Sequence, residues 1–219
     1  MTLQSPLNNV LVTIDRKYVG HITDVLRTSQ LTPDSQLNPA DLVNILGTVV
    51  SVPRGTSDRI DYKGFSTNDL KAGDLILFRY DVIFAFAKQA ESEEPVYKNE
   101  FWYKGKSYWR VDIQKVFAVI KKDAVKMVNG YVMLENVPEA SKIILAASQK
   151  KIMQAGSATV THIGRSLTHK KKVNVKPLDT VFYNPLIVQK YQIKDKKFGI
   201  IKQDKLFGKC PPEYANQVN

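Results

Sequence analysis

KAGDLILF (71–78) reads as a tight turn feeding directly into a strand, and KPLDTVFY (176–183) repeats its frame. Gly73 can take the positive φ that such a turn demands, and the Asp74 carboxylate can hold the turn backbone. The residues that follow are apolar, β-branched or aromatic, too few for a helix and suited to a half-buried strand. Outward from this pair the pattern recurs in VLVTI (10–14), GTVVSV (47–52), VFAVI (116–120), YVML (131–134), ATVTHI (158–163) and FGII (198–201). Short strands at this spacing, bounded by Gly, Pro, Asn and Asp, predict an all-β chain, a barrel or a sandwich. Asp123–Met127 and Asp204–Phe207 have the length of single helical turns after strands, and no more.

The segments also pair in order. Asn8 with V10–T13 aligns with Asn129 and Y131–L134, and Thr48-Val49 with Thr159-Val160. Lys71 and Asp74 align with Lys176 and Asp179, and FAVIKKDAV (117–125) with FGIIKQDKL (198–206). Collinearity across four blocks predicts two copies of one small β-domain. Copy 1 is expected over 1–128 with an insertion at about 84–109, copy 2 over 129–210, and a C-terminal tail over 211–219. Val128-Asn129-Gly130 leaves almost no linker between the copies.

Composition narrows the function classes. The chain has 219 residues, 43% of them hydrophobic, enough to bury a core. No apolar run approaches the ~20 residues of a membrane span, and no secretory signal is visible at the start. The single cysteine, Cys210, excludes an intramolecular disulfide. Net charge is +11, and it is uneven: residues 129–219 hold 15 Lys/Arg against 6 Asp/Glu, whereas residues 1–128 hold 17 against 15. A basic second half suits an acidic partner, be it nucleic acid, an acidic protein or a viral assembly, and equally a solvated surface.

Catalytic and metal-binding patterns are missing from the sequence. Phosphate-binding glycine loops, a nucleophile elbow and a zinc-binding H-E-x-x-H do not occur. His21, His162 and His169 are scattered, and with one cysteine they offer no metal-ligand spacing. The expectation is a non-enzyme without cofactor or metal. Arg165 with Lys170, Lys171 and Lys172 forms a basic loop that can hold phosphate or remain solvated. In the insertion, Tyr97, Phe101, Trp102, Tyr103, Tyr108 and Trp109 surround Lys104-Gly105-Lys106, a natural hairpin tip. Those rings can stack nucleic-acid bases or pack across strands.

Taken together, YVMLENV, SKIILAAS, GSATVTHIG, VKPLDTVFY and FGIIKQDKLF, in that order, resemble the GroES family of co-chaperonins. Copy 1 matches through PLNNVLVTI, LGTVVSVPRG, LKAGDLILF and FAVIKKDAV. The resemblance implies two tandem GroES-like, partly open β-barrels, the first with an inserted aromatic hairpin. It also implies a homo-oligomer that caps a chaperonin ring, located in the cytoplasm. In this family the long first loop is mobile when free, and its apolar triplet docks on the chaperonin.

Ile143, Ile144 and Leu145 in EASKIILAASQKK (139–151) are the corresponding triplet, though Ser141 and Lys142 stand where the family often has glycine. A segment that orders on binding needs such an apolar anchor to offset lost entropy. The triplet also fits a short buried strand. The first loop of copy 1 offers only Val25-Leu26. Two other functions fit the sequence: a structural or assembly protein of a phage particle, bound to capsid or neighbouring virion proteins, and a nucleic-acid-binding β-barrel using the basic half.

Overall fold

The computed structural model describes residues 3–15, 45–83, 97–122, 124–137, 155–165, 167, 173–193 and 196–212. Over these the chain is all-β, with only short 3₁₀ turns besides strands. Its strands are β1 (Asn9–Thr13), β2 (Leu46–Ser51), β3 (Leu75–Phe78), β4 (Glu100–Tyr103), β5 (Lys106–Asp112), β6 (Val116–Lys121) and β7 (Ala124–Met127). There follow β8 (Tyr131–Glu135), β9 (Gly156–Ile163), β10 (Thr180–Tyr183), β11 (Gln189–Ile193), β12 (Lys196–Lys202) and β13 (Leu206–Cys210). A seven-stranded sheet runs in the order β4-β5-β1-β2-β3-β6-β7, and a six-stranded one in the order β11-β12-β8-β9-β10-β13. Every pairing in both is antiparallel.

Apart from β7 the two orders correspond strand for strand. The turn that precedes β3 and β10 is built alike in both. The Lys71 N–H donates to Asp74 Oδ2 at 2.9 Å, and the Lys176 N–H to Asp179 Oδ2 at 2.8 Å. The Val49 N–H reaches the Asp74 carbonyl at 2.8 Å, and the Val160 N–H the Asp179 carbonyl at 2.9 Å. Gly73 has a φ of 88° and Leu178 one of 73°. The aspartate therefore closes the turn as its position in the sequence predicts. Alternation does the rest: β1 turns Val10 and Val12 into the first core with Ile76, Phe78 and Trp109. Strand β8 turns Val132 and Leu134 into the second core with Val160, Val181 and Tyr183.

The sheets revise three expectations. First, Asn8 corresponds to Gly130 and not to Asn129. Both take positive φ, of 66° and 73°. The Asn8 carbonyl accepts from the Ile113 N–H and the Gly130 carbonyl from the Gln203 N–H, each at 2.9 Å. Second, FAVIKKDAV does not correspond to FGIIKQDKL. Strand β12 pairs with β8 as β5 pairs with β1, so residues 196–202 match 106–112 and LFGKC matches VFAVI. Similar letters aligned strands that occupy different places in the sheets. Third, Ala124–Met127 is not a helical turn but β7, whose ladder with β6 satisfies its backbone. Asp123 lies outside the described residues. The second candidate turn straddles a 3₁₀ turn, Gln203–Lys205, and the start of β13.

The aromatic hairpin is β4–β5. It holds in the first sheet the place of β11–β12 in the second. Lys104 and Gly105, with φ of 49° and 71°, make its two-residue turn between the paired Tyr103 and Lys106. A third core lies where the sheets meet: Leu77, Phe117, Ala118 and Met127 pack with Tyr131, Met133, Tyr191 and Ile200.

Candidate partner-binding loop and its base

Strands β8 and β9 hold the two ends of the segment that carries the apolar triplet. Glu135 pairs with Thr159, and opposite Met133 and Leu134 the extra residue Thr161 makes a bulge in β9. Val137 then folds back onto the second core. A Cβ at Gly199 would lie 2.7 Å from Val137 Cγ2 and 2.8 Å from Val188 Cγ1, so glycine there admits both valines. On the returning side, a Cβ at Gly156 would lie 2.8 Å from the Tyr183 ring. Both ends of this segment are thus seated on the second sheet by side chains that only glycine leaves room for.

Ile143, Ile144 and Leu145 lie outside the described residues, as do Lys170, Lys171 and Lys172. Arg165 is described and exposed, two residues after β9. His162 is half-buried on β9, its Nδ1 3.1 Å from Thr161 Oγ1, and the Thr161 hydroxyl donates to the Met133 carbonyl at 3.2 Å. His21, His169 and the Val25-Leu26 pair fall outside the described residues.

The hairpin aromatics pack mainly on one another. Phe101 and Tyr108 stack across the strands with centroids 5.8 Å apart, and Tyr97 meets Trp109 edge-on at 5.1 Å. Trp109 is buried, while Trp102 is 58% exposed.

Sequence reasoning missed the packing at the joint between the sheets, because Val128-Asn129-Gly130 reads only as a junction with almost no linker. The buried Asn129 amide donates to the carbonyls of Ile113 at 2.8 Å and Val116 at 3.3 Å. The Tyr131 hydroxyl donates to the Gln114 carbonyl at 2.8 Å. Phe117 sits edge-on to both Tyr131 (4.7 Å, 77°) and Tyr191 (5.4 Å, 68°). Burial raises the pKa of both tyrosines well above the usual phenol range. Beside the joint, a cleft of about 370 Å³ is lined by Arg79, Lys115, Lys202 and Lys205 among others. Asp81 already engages two of these cations, Lys115 at 2.8 Å and Arg79 at 3.2 Å.

Residues 124–210 match the family model of the chaperonin 10 kDa subunit. That span covers β7 to β13 with the loop and both of its seats, so the resemblance read from the second half is supported at the level of the family domain. No curated protein matches the chain. Among the described residues no group of three or more His, Cys, Asp or Glu side chains could hold a metal ion. No helix there is long and apolar enough to cross a membrane.

Proposed function

We propose that this chain is a non-enzymatic co-chaperonin-like protein, built from two GroES-like barrels over 1–128 and 129–210, that caps a chaperonin ring. Residues 138–155 make the contact in this reading, with Ile143, Ile144 and Leu145 as anchors, while the chaperonin hydrolyses ATP. The observation that carries the reading is the family match over 124–210, which spans the loop and both strands that hold it. The glycine-dependent seats of Val137 and Tyr183 support it, because they fix where the loop leaves and re-enters the barrel.

The test is amide exchange on the full chain, with and without a group I chaperonin ring and ATP. Exchange over 138–155 should be fast in the free protein and slow markedly in the complex. Ile144→Ser should leave folding nearly unchanged and weaken ring binding by at least ~1.5 kcal/mol, the smaller figure for one buried aliphatic side chain. Slow exchange from the start, with several kcal/mol of lost stability, would make the triplet a core strand. Blocked self-assembly in the absence of any chaperonin would instead favour the structural, virion-type role.

A further inference from the structure

Two equivalent 3₁₀ turns lie beside the joint, and their charges are not balanced alike. Val116 pairs with Phe78 as Leu206 pairs with Tyr183. Lys115 on the turn Ile113–Lys115 therefore corresponds to Lys205 on the turn Gln203–Lys205. In the first half Lys115 has a counter-ion, its Nζ lying 2.8 Å from Asp81 Oδ2. Leu186 stands at the position of Asp81 in the second half. Lys205 thus lacks the carboxylate its counterpart uses, and it is exposed. A second difference adds to the first: Asp112 pairs with Asn9 where Lys202 pairs with Tyr131, so an acid in one copy is a lysine in the other.

These residues meet in one cleft. Arg79 and Lys115 from the first half and Lys202 and Lys205 from the second line the cavity of about 370 Å³ beside the joint. Asp81 bonds both Arg79 and Lys115, so a single carboxylate serves two cations. Both oxygens of Asp112 already accept, from the Tyr62 hydroxyl at 2.6 Å and the Gln114 N–H at 2.9 Å. With Asp204 on the second turn, four cations stand against three carboxylates. One buried donor is left over, because Arg79 Nε has no hydrogen-bond partner among the described residues. An unmet buried donor is costly, and charge-assisted bonds to an anion meet it most strongly. Gln189 lines the same cleft, and its Oε1 accepts from the Tyr191 hydroxyl at 2.8 Å, which leaves its amide as a further donor. Ile187, Ile200 and Ile201 supply apolar lining.

We propose that this cleft binds a small phosphate-bearing anion, a phosphate ester or pyrophosphate. Its phosphoryl oxygens accept from Arg79, Lys202, Lys205 and the Gln189 amide, and the isoleucines contact the organic part of an ester. Planar guanidinium and flexible ammonium groups together suit a phosphoryl group, which offers several acceptor oxygens. The donors come from both halves, so neither copy alone holds the site. A bound anion therefore ties the halves together and stabilises the folded chain in proportion to its occupancy. The site is independent of chaperonin binding.

The test is calorimetric titration of pyrophosphate and of adenosine monophosphate into the full-length protein at low salt. Saturable binding of one anion per chain is expected, with a raised melting temperature. Tighter binding of the monophosphate identifies an ester as the ligand, and tighter binding of pyrophosphate a free polyanion. Lys205→Ala should keep the circular dichroism spectrum and weaken binding at least about tenfold, the loss of one charge-assisted hydrogen bond. Arg79→Gln should do the same, and should it fail to fold, Lys205→Ala alone decides. The triple variant Lys170→Ala/Lys171→Ala/Lys172→Ala should bind as the wild type does. Absence of saturable binding overturns the proposal, as does unchanged affinity in folded Lys205→Ala. Loss of binding in the triple variant also overturns it, because the basic loop then holds the anion. A single-stranded oligonucleotide that displaces either anion at lower concentration would replace the site with a nucleic-acid surface.

Discussion

Leu178 holds a backbone φ of 73° at the position where Gly73 holds 88°. A side chain in this left-handed region brings its Cβ against the following carbonyl, a strain of about 1–2 kcal/mol that glycine escapes. Leu178 recovers little of it by packing, being 65% exposed. Leu178→Gly is therefore expected to stabilise the protein by up to about 1 kcal/mol, after allowing for the extra freedom glycine gives the unfolded chain. Urea unfolding would show it as a higher midpoint at unchanged slope, and a lower midpoint would show that the leucine contributes packing instead. The letters KAGD and KPLD pointed to the same turn. They did not reveal that one copy adopts it under strain, since that depends on the backbone the neighbouring strands impose.

At the scale of elements, the two turns do different amounts of work. Asp179 is buried, closes its turn and accepts an ion pair from Lys209 on β13 at 3.0 Å, tying the turn to the edge strand. Asp74 is less buried and closes its turn through the Lys71 N–H. Asp179→Ala leaves Lys209 without its carboxylate and should cost about 3 kcal/mol, against about 1 kcal/mol for Asp74→Ala. Equal losses in chemical denaturation would mean that the Lys209 pair adds nothing. Strand existence was legible here and strand partnership was not. FAVIKKDAV and FGIIKQDKL share a pattern because each is a buried strand followed by a charged bend, and partners are chosen by packing at long range. The same limit applied to Ala124–Met127, whose letters suit a helical turn until β6 lies alongside.

For the whole molecule, the joint between the sheets couples stability to alkaline pH. Tyr131 and Tyr191 lie in the shared core, where loss of water raises both phenols. In the second core burial pushes Tyr183 up to about 12. Above pH 10 the unfolded chain releases phenolic protons that the folded chain retains, so the unfolded state binds fewer and stability falls with pH. That contribution is fully present below pH 10 and drains away as pH rises through 12. Unfolding free energy should decline between pH 9 and 12, with tyrosinate absorbance rising at lower pH in the unfolded than in the folded protein. A flat profile over that range would contradict the burial of these rings.

Local pattern was enough to establish that this chain is all-β, that a Lys-x-x-Asp turn opens corresponding strands in its two halves, and that the second half resembles a co-chaperonin. Each of these rests on local chemistry: alternation, turn residues and the order of short motifs. Long-range packing alone makes Val128-Asn129-Gly130 a buried joint and matches Asn8 to Gly130. Likewise, it alone distinguished Phe117, enclosed between two tyrosines, from Phe207, left facing solvent. The physical reason is that equivalent residues in a repeated fold acquire different environments from what lies beside them, and a neighbour distant in the chain leaves no mark on local pattern.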